Sequence, residues 1–238
     1  MSNISAISHK EIRSYFYSPV AYILISFFLL ITGWFFGTNL FLVNEATMRN
    51  IFSVVPLIFI FFIPAITMRT IAEEKRSGTI ELLCTTPVTE TQIVLGKFFA
   101  SLVLLVAAIL STLVYVIILA ILGSPDGGII LAGYIGLILM GAAYSAIGIF
   151  SSTISQNQIV AFIISFFIII ILFLLDKFLY FIPIWLGSIL QYISIDFHFQ
   201  NIARGVIDSR DIIYYLSIVF IFLFFACKSL YKRKYLSA

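Results

Sequence analysis

Charge is scarce in this chain, and where it is missing says more than how little there is. Asp, Glu, Lys and Arg make up 11% of the 238 residues, while 62% are apolar. Residues 14–44, 50–68, 98–125, 127–175 and 178–195 contain none of the four. Runs of that length exclude an ordinary soluble domain, in which about a quarter of residues are charged. Histidine is scarcer still: Asp196 and His198 share a turn and His9 is far away, too few ligands for a tetrahedral or octahedral metal shell. Cys84 and Cys227 are the only cysteines, and both read as unpaired reduced thiols. The glycine-rich turn of a phosphate-binding loop is absent as well. Gly96-Lys97 is followed by Phe98 and has no upstream glycine at the required spacing. Without metal, nucleotide or nucleophile motifs, the chain reads as neither an enzyme nor the holder of a cofactor.

The uncharged runs themselves predict an all-α integral membrane protein. A helix needs about 20 apolar residues to cross the hydrocarbon core, where each backbone amide must bond within its own helix. The run 127–175 is too long for one crossing and splits at the polar break 151–158, SSTISQNQ. Six spans are expected, near 20–43, 50–68, 98–122, 129–150, 159–180 and 212–231, in a single domain covering 1–238. The segment 178–195, with Pro183, Trp185, Gly187 and Tyr192, suits an interfacial or partly inserted helix better than a crossing. The first span is longer than the apolar core of a secretory signal and no small-residue cleavage site follows it, so it is expected to be retained.

The basic residues orient these spans. With both termini in the cytoplasm, Lys10, Arg13, Arg69, Lys75, Arg76, Lys97, Lys228, Lys232, Arg233 and Lys234 lie inside. Arg49, Lys177, Arg204 and Arg210 lie outside, so ten cations stand against four. A seventh crossing at 178–195 would move the C-terminal cluster outside.

Against this background one stretch is conspicuous: EEKRSGTIELLCTTPVTETQ at 73–92 holds six of the 25 charged side chains. Arg69–Arg76 can form a short helix that stops at Gly78 in a left-handed conformation. Ile80, Leu82 and Leu83 give a small apolar face, and Pro87 pushes Thr86 out of helical geometry. Thr89 and Gln92 fit a capping box that opens the third span. A merely solvated loop explains the cations but not Glu73, Glu74 and Glu81 beside an apolar face. A lipid-bound helix would be mostly basic. Apolar anchors ringed by charges of both signs fit docking to a soluble partner best.

The segment EEKRSGTIELLCTTPVTETQIVLGK resembles the cytoplasmic loop of type 2 ABC transporter permeases. That loop pairs acidic with basic residues, then has Gly-Thr, Glu-Leu-Leu and Thr-x-Pro before the third span. The stretches 10–22, 63–75, 146–162 and 195–215 are similar to the gliding-motility-associated permeases of Bacteroidetes and relatives, so the resemblance covers most of the chain in order. Cys84 stands where an aliphatic residue is usual. The resemblance implies a permease fold whose coupling helix docks on an ATP-binding subunit through Glu73, Glu74, Lys75, Arg76, Gly78, Thr79, Glu81, Leu82, Leu83 and Pro87. It also implies an amphipathic N-terminal helix over 1–19 that touches the same subunit through Lys10, Glu11, Arg13, Tyr15 and Phe16. Ser8 and Glu11 offer a capping box there. The expected assembly contains two ATP-binding subunits, carrying ATP and Mg, and a second permease, identical or paralogous, in the bacterial inner membrane. No nucleic-acid partner is expected.

Two further groups stand out. Gly33 with Gly37, and Gly141 with Ser145, are small residues at four-residue spacing that let helices approach closely, either within the chain or in a dimer. The segment 178–210 resembles the short helices that cap such permeases on the outer face. It holds Asp196, His198, Arg204, Asp208 and Arg210 as candidate gate residues, with Arg204 and Asp208 spaced to pair across one helical turn. Within the spans the only charges lie near their ends, Asp176 and Lys177 at the outer end of the fifth and Lys228 near the inner end of the last, which gives an ion-coupled carrier or channel little to work with. A membrane scaffold or force-transmitting subunit is the other alternative to a transporter, possible export or motility roles being implied by resemblance alone.

Overall fold

In the computed structural model, residues 3–43, 47–79, 88–123, 125–178 and 184–236 are described. Among them every regular element is helical. An N-terminal helix, α1 (Asn3–Tyr17), is set off from α2 (Pro19–Thr38) by Ser18, whose hydroxyl accepts the amide of Val20 just ahead of the helix. Wider turns of π type continue α2 over Asn39–Val43. Then come α3 (Arg49–Thr67), the short α4 (Ala72–Arg76), α5 (Glu90–Ser111) and α6 (Leu113–Leu122). They are followed by α7 (Gly127–Ile154), α8 (Gln158–Leu174), α9 (Ile184–Ile193), α10 (Ile195–Ala203) and α11 (Ser209–Leu236).

Among the described residues five helical stretches are long and apolar enough to cross a membrane: Pro19–Phe41, Arg49–Arg76, Glu90–Leu122, Gly127–Ile154 and Ser209–Lys232. Helix α8 is apolar but has only 17 residues, roughly 26 Å at 1.5 Å per residue and so near the lower limit for a crossing. It stops ahead of the turn that carries Asp176 and Lys177, short of the expected end at 180. The ten residues of α9 are too few to cross, as 178–195 suggested.

The core forms around α7. Its small residues take neighbouring side chains against the backbone: a β-carbon added at Gly141 would overlap Leu105 of α5, and one at Gly148 would overlap Thr67 of α3. Between helices in lipid there is no solvent-driven attraction, so close approach and its dispersion contacts replace it. Aromatic side chains fill the space around this seam. Phe28 of α2 lies 5.0 Å from Phe62 and 6.0 Å from Phe59 of α3, measured between ring centroids. Phe150 of α7 meets Phe222 and Phe225 of α11.

Most polar groups inside this core are paired, as the absence of water there demands, the buried Tyr144 hydroxyl of α7 being an exception among the described residues. Tyr115 of α6 donates to the Leu29 carbonyl at 3.0 Å and lies 3.1 Å from the Thr32 hydroxyl. Its ring stacks on Phe36 and its hydroxyl covers Gly33. Gly33 therefore serves packing within the chain, Gly141 does likewise, and Ser145 is buried on α7. Nothing lies over Gly37. This contrast gives the first prediction. Gly148→Val should cost about 1–3 kcal/mol by overpacking and lower the melting temperature of the detergent-solubilised protein. Gly37→Ala, which gains helix propensity of about 0.5–1 kcal/mol, should leave that temperature unchanged or raise it.

Candidate functional site

At the end of the bundle that bears α1, the chain leaves α3 through a tight turn at 68–71, makes the single turn of α4, and reverses at Gly78. There φ is +71°, a left-handed conformation glycine adopts without strain. The chain re-enters the bundle at α5 through the expected capping box: the Gln92 amide donates to the Thr89 hydroxyl, and the Gln92 side chain accepts the Thr89 amide. Residues 80–87 lie outside the described residues, and with them the candidate docking residues Glu81, Leu82, Leu83 and Pro87.

Two anchors hold this elbow. The first is at the end of α7, where the Ser152 hydroxyl accepts the amides of Ile71 and Ala72 at 3.0 and 2.9 Å and donates to the Met68 carbonyl at 3.2 Å. The Lys75 ammonium donates to the Thr153 carbonyl next to it. The second is Lys97 of α5, whose side chain is only 1% exposed. Its ammonium meets Glu11 of α1 at 2.9 Å, Glu74 of α4 at 2.8 Å and the Thr70 carbonyl at 2.6 Å. An ammonium has three donors, and three oxygens receive them, one from α1 and two from the elbow, so Lys97 joins three segments: α1, the elbow and its own α5. A charge can be this deeply buried only when paired and hydrogen-bonded, so the three segments must stay together or leave it uncompensated.

Helix α1 runs alongside α5. Its Ser8 hydroxyl donates to the Gly96 carbonyl at 2.9 Å, and its Asn3 amide to Gln92 at 3.2 Å. Ser8 is thus inside a helix that starts five residues earlier, and the capping box expected from Ser8 and Glu11 does not form. Tyr15 donates to the Ile66 carbonyl at 3.2 Å. Burial and then the Glu11 carboxylate raise its pKa well above the ordinary phenol range, partly offset by Arg69, so it remains a protonated donor. Phe16 packs on the core and meets the Tyr22 ring edge-on.

Between α1 and α4 lies a cavity of about 320 Å³ with Glu11, Glu74 and Lys97 in its wall and Lys10 and Arg69 beside them. One oxygen each of Glu73 and Glu74 is buried without a hydrogen bond among the described residues. The expected docking residues therefore divide. Glu74 and Lys75 bond inward, because Lys97 and the end of α7 offer them partners, whereas Arg76, Gly78 and Thr79 are exposed at the tip. Lys10 and Arg13 face outward from α1 and Glu11 faces inward. Sequence reasoning counted Lys97 only as an inside cation and Ser152 only as part of a break between spans. The Ser152 partners lie about eighty residues away in the chain, and those of Lys97 from over twenty to 86 residues away, so no local pattern marks either one.

At the other end, α9, α10 and the start of α11 form a cap. Asp196 accepts from Lys177 at 2.8 Å and Gln200 at 2.6 Å. Burial works against charge on Lys177, but its bonds to Asp196 and Asp176 prevail and raise its pKa. His198 places one ring nitrogen 2.6 Å from Asp211 and the other 3.0 Å from the Tyr192 carbonyl, with the Tyr214 ring stacked at 3.8 Å. Asp196 and His198 are therefore engaged within the cap, and no metal-binding cluster occurs among the described residues. Arg204, Asp208 and Arg210 are exposed. The expected Arg204–Asp208 pair across a helical turn is corrected: the chain turns at Gly205, φ +94°, and Asp208 accepts the Arg210 amide instead.

Lys97→Met should cost about 3–5 kcal/mol, because two carboxylates lose their counter-charge. The triple change Lys97→Met, Glu11→Gln, Glu74→Gln should recover most of it. Thermal melting in detergent checks both, and equal losses in the two variants would contradict the ion-pair account.

The sequence pattern of the family described as ABC-2 family transporter protein matches residues 8–227, from within α1 to near the end of α11. Among curated proteins none matches the chain. A helical bundle with five membrane-length apolar helices, matched to that family over nearly its whole length, belongs to the ABC-2 family: it is a multi-pass membrane permease subunit of an ABC transporter, the partner of an ATP-binding subunit.

Proposed function

We propose that this permease receives mechanical work at the elbow between α3 and α5 and passes it into the bundle. Both termini and the elbow face the cytoplasm, α8 makes a sixth crossing, and the membrane is the bacterial inner membrane. The tip, Arg76 to Pro87, seats in the ATP-binding subunit, and the outward face of α1, with Lys10 and Arg13, lies against the same subunit. Two ATP-binding subunits and a second permease, identical or paralogous, complete the assembly. ATP and Mg are held by the ATP-binding subunits and hydrolysis takes place there.

The observation that carries this reading is the triple contact of Lys97. A displacement of the tip pulls on Glu74 and Thr70, and through the same ammonium on Glu11 and α5, while Ser152 ties α7 to the movement. Ion pairs that join three helices at one buried point transmit displacement with little slack, because packed interiors do not deform smoothly. The unsatisfied oxygens of Glu73 and Glu74 beside the cavity suit a basic side chain of the docked subunit. At the far end, the cap with Asp196, His198, Arg204, Asp208 and Arg210 is the piece that gates the path. The outcome is export or movement across the membrane, with a role in gliding motility or secretion.

The test is retention of the ATP-binding subunit on the purified permease. Arg76→Glu combined with Leu82→Asp should reduce co-purification at least tenfold, the effect of losing a central contact worth more than about 1.4 kcal/mol, while leaving the permease folded in the membrane. Unchanged co-purification from the double variant would remove the docking reading.

A further inference from the structure

The cavity at the end of the bundle away from α1 plays no part in the elbow. It measures about 570 Å³ and lies where the start of α3, the end of α8 and α10 meet. Three cations, Arg49, Lys177 and Arg204, and one carboxylate, Asp196, are in its wall. Lys177 and Asp196 are already committed: Lys177 is shared by Asp196 at 2.8 Å and Asp176 at 3.0 Å, and Asp196 also takes Gln200 at 2.6 Å. The Arg49 and Arg204 side chains make no hydrogen bond or ion pair among the described residues. Two guanidiniums therefore face a recess whose own carboxylate, Asp196, is already paired.

Apart from Ser53 and Gln200 the rest of the wall is apolar, with Phe52, Leu57, Phe173 and Phe199. From Leu57, 51% exposed, the apolar surface continues one helical turn further along α3 to Phe61, 57% exposed. Phe61 packs on Phe166 of α8 at 4.8 Å between ring centroids. Arg49 opens the membrane-length helix α3, and Arg204, which follows the last residue of α10, lines the same cavity. A small water-soluble anion could use the guanidiniums but would leave the aromatic wall and the Leu57–Phe61 track uncovered. A neutral amphiphile would cover the wall and leave the guanidiniums without a counter-charge.

We propose that this cavity binds one acidic membrane lipid, its anionic headgroup between Arg49 and Arg204 and an acyl chain along Leu57 and Phe61. Arginine suits the role, since its planar fork matches phosphate oxygens in pairs and it carries charge at every physiological pH. The inference needs only that the chain spans a membrane, so it stands or falls apart from docking of an ATP-binding subunit.

Native mass spectrometry of the full chain in detergent tests it, with dioleoyl phosphatidylglycerol and dioleoyl phosphatidylcholine as probes and glycerol 3-phosphate as a soluble competitor. One phosphatidylglycerol should be retained at least tenfold more tightly than phosphatidylcholine, and glycerol 3-phosphate should not displace it. Arg49→Gln with Arg204→Gln should weaken retention about thirtyfold, from roughly fivefold per cation, and Arg49→Lys with Arg204→Lys should keep most of it. Leu57→Asp should weaken retention with both arginines intact. Both arginines and Leu57 are exposed, and matching helical circular dichroism and elution volume would show that the variants fold. Equal retention of the two lipids, or undiminished retention by the glutamine variant, would overturn the proposal. Displacement by glycerol 3-phosphate at concentrations comparable to the lipid would overturn it too, by making the cavity a small-anion site.

Discussion

Inside a bilayer, apolar side chains gain nothing by leaving lipid for one another, so a helical bundle there must be held by fit and by satisfied polar groups. In this protein the fit is supplied by α7. Leu105 lies on Gly141 and Thr67 on Gly148, so α5 and α3 come close enough for their side chains to interdigitate with the α7 backbone. Aromatic pairs then join α11 to the same helix. The polar part is met locally, as where Tyr115 spans from α6 to the Leu29 carbonyl of α2.

That scaffold brings the two polar ends of the molecule into register. At the α1 end, α7 finishes with Ser152 and Thr153, which grip the elbow through the Ser152 hydroxyl and the Thr153 carbonyl. Lys97 completes the grip from α5. At the opposite end α7 packs against α10, and the cap is stitched to α11 by His198 with Asp211 and by Tyr215 with the Ile195 carbonyl. One helix thus has the elbow at one end and the cap at the other.

The buried charge has a physical reason of its own. A hydrophobic side chain in place of Lys97, with neutral partners, would hold the same segments by packing alone and need not weaken the fold. What the ion pairs add is direction: three donors fixed on Glu11, Glu74 and the Thr70 carbonyl specify one relative placement of α1, α4 and α5. Under the proposed function, a specified placement matters more at this joint than net stability.

Much of the fold was legible along the chain, because lipid imposes its rule locally. A charge-free run of sufficient length must be a helix, whatever it packs against, so α2, α3 and α7 could be placed from composition. The capping box at Thr89 and Gln92 and the left-handed turn at Gly78 were legible for the same reason, each needing only residues within one turn of itself. What lies between distant segments was not. That Glu74 and Lys75 turn inward while Arg76 and Thr79 face out, that Ser152 accepts amides from 71 and 72, and that Arg204 parts from Asp208 at Gly205 all depend on where other helices come to rest. Sequence determined which stretches enter the membrane, since solvation is decided residue by residue. Only the tertiary structure decided which charges are buried and with whom, since pairing is a matter of distance in space.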